Sequence, residues 1–258
     1  MSEVALFIHS TATGPFMWRP YLATVPDGVT PVAPANRGYA PDDLLPRGSR
    51  FSVHDDVAHL RAHVPEGATG VHLVAHSYGG FAALTLARQA GLPVRSLWVY
   101  EPVLFGALRA EADRLPPDTA ADVEALYGAE HSMLDETRGG EEAWVERFID
   151  YWNQPGVWQA MPEKVKAMTR AVSWKMFREV CSVSQEPLPF DQYALDIPLT
   201  LVRGATTRPP TRDMIQRLAE VNPHARVETL EGLGHMGLMS SPEPVAASLQ
   251  RHWARVRG

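Results

Sequence analysis

A serine hydroxyl becomes a useful nucleophile only when an imidazole takes its proton and a carboxylate fixes that imidazole's tautomer. One serine of this sequence stands in a setting suited to that role. In Val71-His72-Leu73-Val74-Ala75-His76-Ser77-Tyr78-Gly79-Gly80 a β-branched, apolar run ends on Ser77, and a helical pattern, Phe81-Ala82-Ala83-Leu84-Thr85-Leu86-Ala87, follows at once. A strand that ends on serine and turns sharply into a helix is the layout of a nucleophile elbow. The turn strains the serine backbone and demands small residues two positions before and after it, which Ala75 and Gly79 supply. It also lifts the hydroxyl clear of the sheet over a helix N-terminus, whose partial positive charge favours a developing anion. The plainer alternative is an ordinary strand-to-helix turn with an incidental serine.

His235 is the best-placed base. It lies in Leu233-Gly234-His235-Met236-Gly237, a glycine-rich loop between a late strand and the final helix, where the backbone can expose a side chain. His9, His72 and His76 sit in or beside strands, the usual place of a satisfied core histidine. His54, His59 and His63 share a helix, but spacings of five and four do not align all three on one face, so no metal site is expected.

The elements that must position these residues alternate. Residues 4–9 read as a buried parallel strand, 16–25 as a short helix and 30–33 as a second strand. Ser52 caps a helix through Val53, Val57, Leu60 and Val64, with Asp55 and Asp56 in its first turn, where the dipole favours acids. The Ser77 strand and its helix come next, then a buried strand at 96–100 closed by Glu101-Pro102. From 103 to 190 only helical patterns occur, at 120–127, 141–152, 161–171 and 174–182. They are broken at Pro116-Pro117, Gly139-Gly140, Pro155-Gly156 and Pro187/Pro189. Strands and helices then resume at 198–203, 214–221, 226–230 and 244–256. This alternation implies an α/β fold with a mostly parallel sheet of about six strands flanked by helices. The all-helical insert reads as a cap over the carboxyl edge of that sheet, the edge where ligand crevices lie. The expected organisation is core 1–102, cap 103–190 and core 191–258.

Taken together, these residues resemble the α/β-hydrolase superfamily. Ala75-His76-Ser77-Tyr78-Gly79-Gly80 matches its nucleophile motif with Ala for the first Gly, His9-Ser10 stands where the family has His-Gly, and Gly234-His235 matches its histidine. The chain begins directly at the oxyanion strand, without the family's usual antiparallel pair, which is similar to the hydroxynitrile lyase and plant methylesterase branch. The resemblance implies a serine, acid, histidine chain order and an acid about three residues past Gly204, where this sequence has Thr207. Glu101 therefore resembles an acid relocated by one strand, as in some haloalkane dehalogenases. A carboxylate there would be costly without a partner, and an imidazolium is the obvious one. A salt bridge from Glu101 to Arg37 or Arg203 is the alternative. Asp213 is the second candidate, Asp196 precedes its strand and so belongs to the wrong edge, and a dyad without an acid stays open. For the oxyanion hole the resemblance implies the N–H of Tyr78 and one from the His9-Ser10-Thr11 loop, most simply Thr11, with the Ser10 or Thr11 hydroxyl able to assist.

The helical insert is rich in aromatic residues, among them Trp144, Phe148, Trp152, Trp158 and Trp174. Most such residues pack a cap on itself, but Trp144, Trp152 and Trp158, with Met236, are candidates to line an apolar pocket. A small apolar acyl substrate is expected, cleaved by a serine esterase that needs no cofactor. A C–C-acting or other non-hydrolytic enzyme, and a ligand-binding receptor with a relic triad, are the competing readings; Met236 after the histidine, where hydroxynitrile lyases carry Lys, counts against cyanohydrin chemistry. Arg37-Gly38-Tyr39 is expected to brace a loop. A net charge of −6 over 258 residues argues against nucleic-acid or anionic-membrane partners. A single cysteine, Cys181, no signal-peptide pattern at the start and no long apolar run point to a cytoplasmic protein, and a monomer or homodimer is expected.

Overall fold

The computed structural model describes residues 3–128, 132–186 and 188–257; Pro187, part of one expected helix break, lies outside the described residues. In chain order the core runs β1 (Glu3–Ile8), a 3-10 helix (Pro15–Thr24), β2 (Val29–Val32), α1 (Val53–Ala62), β3 (Gly70–His76), α2 (Tyr78–Ala87) and β4 (Val94–Tyr100). Helices α3 (Phe105–Ala110), α4 (Pro117–Tyr127), α5 (Glu142–Trp152), α6 (Val157–Ala160), α7 (Glu163–Ala171) and α8 (Ser173–Gln185) follow without a strand among the described residues. The core resumes with β5 (Leu199–Gly204), α9 (Pro209–Val221), β6 (Arg226–Leu230), α10 (Gly237–Ser240) and α11 (Pro242–Arg257).

The six strands form one sheet in the order β2-β1-β3-β4-β5-β6, and every neighbouring pair is parallel. Strands β1 and β3 are buried over nearly their whole length. They are covered on both faces, which is why their sequences are continuous apolar runs rather than alternating ones. Alternate residues nevertheless serve different layers. Leu6, Leu73, Ala75, Leu97 and Val99 share a core with residues of α1, α2 and α9, while Phe7, Val74, Trp98 and Tyr100 share one with the 3-10 helix and α11 through Trp18, Leu249 and Trp253.

The helix expected over 16–25 is a 3-10 helix containing Pro20, whose missing N–H cannot serve an α-helical ladder. The helix expected over 161–171 is α7, which starts only after Pro162, and the four-residue α6 ahead of it went unpredicted. Helix α3 and the short α10 went unpredicted; six and four residues are too few to show a period.

Several histidines are buried as neutral rings. His252 bonds Thr200 Oγ1 at 2.8 Å and Ser96 Oγ at 3.0 Å, and burial pushes it down to about 3. His9 accepts the Asn36 N–H at 2.8 Å, and burial pushes it down to about 4. Their ordinary value is 6.5, so below that pH the unfolded chain binds protons that the folded one refuses. Stability is therefore complete above about pH 6.5 and is lost as the pH falls toward about 4. Thermal melts between pH 7.5 and pH 4 should show Tm falling steadily through that window, and His252→Gln should flatten the slope.

Candidate active site

Strands β3 and β4 end side by side, each on a strained residue. Ser77 has φ 55° and ψ −122°, and Glu101 has φ 44°. Positive φ is costly for residues with a Cβ and persists where the surroundings enforce it. At Ser77 the enforcement is visible: a Cβ added to Gly79 would lie 2.3 Å from the Ile8 carbonyl oxygen. The elbow and β1 thus touch backbone to backbone, and the need for a small residue after Ser77 is a packing fact.

Glu101 is fully buried and anchored by three donors. Its Oε1 accepts the Gly204 N–H at 2.7 Å; its Oε2 accepts the Thr207 hydroxyl at 2.8 Å and His235 Nδ1–H at 2.8 Å. An ionised carboxylate can only accept, so Nδ1 carries the proton and Nε2 of the neutral ring must accept. Ser77 Oγ lies 2.9 Å from Nε2 and donates to it. The structure thus brings Ser77, His235 and Glu101 into one hydrogen-bonded line. Asp213 lies elsewhere, accepting from Thr119 of α4 and from Arg212. Arg37 pairs with Asp55 at 3.3 Å, and its N–H donates to Asp56 Oδ1, so it braces its loop and leaves Glu101 to His235.

The histidine loop is pinned from several sides. His76 Nε2 donates to the His235 carbonyl at 3.0 Å, and the Tyr100 hydroxyl donates to the Gly234 carbonyl at 2.8 Å. Trp152, from α5, stacks on the imidazole with ring centroids 3.8 Å apart and planes 28° apart. On the opposite side, the β1 loop turns at Ala12 (φ 60°), whose N–H donates to the Tyr39 hydroxyl at 2.9 Å. The Ser10 hydroxyl is engaged with Thr13 Oγ1 at 3.1 Å. Tyr78 opens α2, a position whose N–H has no acceptor within the helix.

Two cavities meet at Ser77. The outer one, about 490 Å³, is bordered by Ser10, Thr11, Trp152, His235, Met236 and the α7 residues Val165 and Met168. The inner one, about 30 Å³, lies under Thr11, Tyr78, Phe105, Met133, Phe148 and Val183 and does not touch His235. Trp152 and Met236 therefore border the space beside Ser77, as expected. Trp144 and Trp158 do not, which corrects the expectation for both. Trp144 stacks on Phe148 and donates to the Met133 carbonyl; Trp158 donates to Glu142 beneath Arg170. Each indole N–H found a partner inside the helical segment, and packing there outweighed facing the cavity.

The sequence model of the alpha/beta hydrolase family matches residues 5–248. The chain belongs to the alpha/beta hydrolase family. Solved structures similar to this alpha/beta hydrolase include MGS-M2, an alpha/beta hydrolase enzyme from a Medee basin deep-sea metagenome library, with TM-score 0.73 and 13% identity over 98% of this chain and 90% of that one. ClbQ from the colibactin NRPS/PKS pathway aligns with TM-score 0.70 and 14% identity over 100% and 99% of the two chains. Carboxylesterase CesB from Bacillus subtilis aligns with TM-score 0.67 and 19% identity over 98% and 84%. At such identities the likeness concerns the fold. No curated protein sequence matches this one.

Sequence reasoning passed over two parts of the hydrolase's site. Thr207 was noticed only where an acid was expected, yet its hydroxyl donates to Glu101. Lys175 and Glu179, four residues apart between Trp174, Phe177 and Cys181, are an ion pair on an apolar helix face. That spacing was the available signal. The histidines of α1 are bound to backbone: His59 Nε2 to the Ala35 carbonyl and His63 Nδ1 to the His59 carbonyl. Gly79→Ala should force the elbow away from β1, and labelling of Ser77 by a fluorophosphonate should slow about a hundredfold or more, whereas far-UV circular dichroism stays native.

Proposed function

We propose that this alpha/beta hydrolase is a cofactor-independent serine hydrolase that cleaves a carboxylic ester, thioester or lactone of a largely apolar small molecule. The observation that carries the reading is the line Glu101–His235–Ser77, with contacts of 2.8 and 2.9 Å. Ser77 Oγ attacks the carbonyl carbon while its proton passes to His235 Nε2, and the imidazolium is stabilised by Glu101. The tetrahedral oxyanion is met by the N–H groups of Tyr78 and Thr11; that of Ala12 is spent on Tyr39. Collapse breaks the acyl–oxygen bond, and His235 returns the proton to the leaving alcohol. Water then attacks the acyl-enzyme, gives its proton to His235 and releases the acid, and Ser77 recovers its proton. Residues 103–190 act as a cap over the core formed by 1–102 and 191–258.

The two cavities suggest how the substrate lies. His235 must protonate the leaving group, and it borders only the outer cavity of the two that meet at Ser77. The alcohol or thiol portion therefore occupies the wide apolar funnel, and the acyl portion the small inner chamber. One water-sized centre needs about 10–15 Å³, so that chamber suits an acyl group of a few carbons. A relic triad in a receptor is disfavoured by the intact line and by the two strained residues that maintain it.

Ser77→Ala should abolish hydrolysis of p-nitrophenyl acetate and labelling by a fluorophosphonate. Glu101→Gln should lower kcat about a thousandfold, while Asp213→Asn stays within about threefold of wild type. Near-full activity of Glu101→Gln would remove the relocated acid. Across an ester series, kcat/KM should fall steeply as the acyl chain lengthens beyond about four carbons and should tolerate large apolar alcohols. The reverse order of preference would invert the assignment of the two cavities.

A further inference from the structure

Behind the loop that carries Thr11, three charged side chains are shut away from solvent. Lys175 Nζ lies 2.8 Å from Asp56 Oδ2 and 2.5 Å from Glu179 Oε1, and all three side chains are 0% exposed. Three rings enclose the ammonium: Phe51 at 4.0 Å, Tyr39 and Tyr78 each at 5.1 Å from Nζ to the ring centroid. Burying three charges is expensive, and such a cluster is weak as a source of stability, so its value lies in the geometry it imposes.

What it holds is specific. The Tyr78 hydroxyl donates to Asp56 Oδ2 at 2.7 Å. The Tyr39 hydroxyl donates to Glu179 Oε2 at 2.8 Å and accepts the Ala12 N–H at 2.9 Å. Tyr78 and the loop that carries Thr11 thus end on the same ion cluster, Tyr78 through Asp56 and the loop through the Ala12 N–H, Tyr39 and Glu179. Two of the three charges, Lys175 and Glu179, come from α8 of the helical segment, whereas Asp56 comes from α1 of the core.

We propose that the Asp56–Lys175–Glu179 cluster, working through Tyr39 and Tyr78, is the positioning device of the oxyanion hole, so that the hole is formed only when α8 is seated on the core. This inference rests on the serine-hydrolase reading. Lys175, Glu179 and Tyr39 are positioning residues: they act through Ala12 and Tyr78, and Glu179 and Tyr39 also border the inner and outer cavities, which is why the test reads kcat against KM. Ala12 and its neighbours cannot hold their turn by local preference, because a non-glycine residue at φ 60° needs outside support.

Lys175→Met strands two carboxylates and is expected to impair folding, so the decisive variants are Tyr39→Phe and Glu179→Gln. Each should slow phosphonylation of Ser77 by a fluorophosphonate about tenfold or more and lower kcat on p-nitrophenyl acetate by the same factor. KM should stay within about twofold, and affinity for a trifluoromethyl ketone, whose adduct places an oxyanion in the hole, should fall in parallel with kcat. A purely structural role would lower Tm without that parallel. If wild type reacts with the probe and both variants react equally fast, the cluster does not position the hole. A loss carried by KM instead of kcat would likewise overturn it. Failure of wild-type Ser77 to react at all would remove the serine-hydrolase reading itself, and this inference with it.

Discussion

The constraint on which the rest of the site depends is the burial of one carboxylate. Glu101 has no contact with water, and it is kept there by a backbone N–H, a hydroxyl and an imidazole N–H arriving from three parts of the chain. Such a group is tolerable only when fully partnered. Meeting that demand fixes the end of β5, the loop that follows it and the tautomer of His235 together. The serine hydroxyl then has a single acceptor to which it can turn.

Much of this was legible beforehand, for identifiable reasons. The elbow is a local feature: its strand, its small residues and its helix are contiguous, and sterics alone demand them. The parallel sheet followed from strands that read as unbroken apolar runs, and the helical segment from the disappearance of such runs after Pro102. Glu101 could be nominated because a carboxylate at a strand's carboxyl end needs a partner. Its actual anchors could not, since Gly204 and Thr207 meet it across 103 and 106 residues. The buried ion cluster joins α1 to α8 across 119 residues and was invisible for the same reason. Trp144 and Trp158 show the converse limit: an aromatic residue in a helix declares that it will be buried, but not against which neighbour.

The helical segment is more than a roof. Phe148 and Trp152 of α5 border both spaces around Ser77, and Trp152 lies flat on the imidazole. A ring face against an imidazole favours its charged form over its neutral one. Five exposed apolar side chains, Phe16, Leu44, Val165, Met168 and Met239, border the outer cavity and give it an apolar rim. Methionines there can accommodate substrates of differing shape.

A buried carboxylate at the end of β4 shapes the mechanics of the sheet. His76 and Tyr100 are paired across β3 and β4, so Ser77 and Glu101 follow on the same rung. Two of the three groups are thereby locked by a single interstrand register at the centre, where the sheet is stiffest. Only the imidazole arrives from the periphery, on a loop after β6. The loop after β5 holds Glu101 through Thr207 and does other work as well: Arg208 reaches from it to the Tyr151 carbonyl and to Asp122, mooring the helical segment to the outer strands. Sliding of β5 and β6 along the central strands would therefore carry Gly204, Thr207 and His235, the three partners of Glu101, away together with the moored helices, so the buried carboxylate resists any such slip.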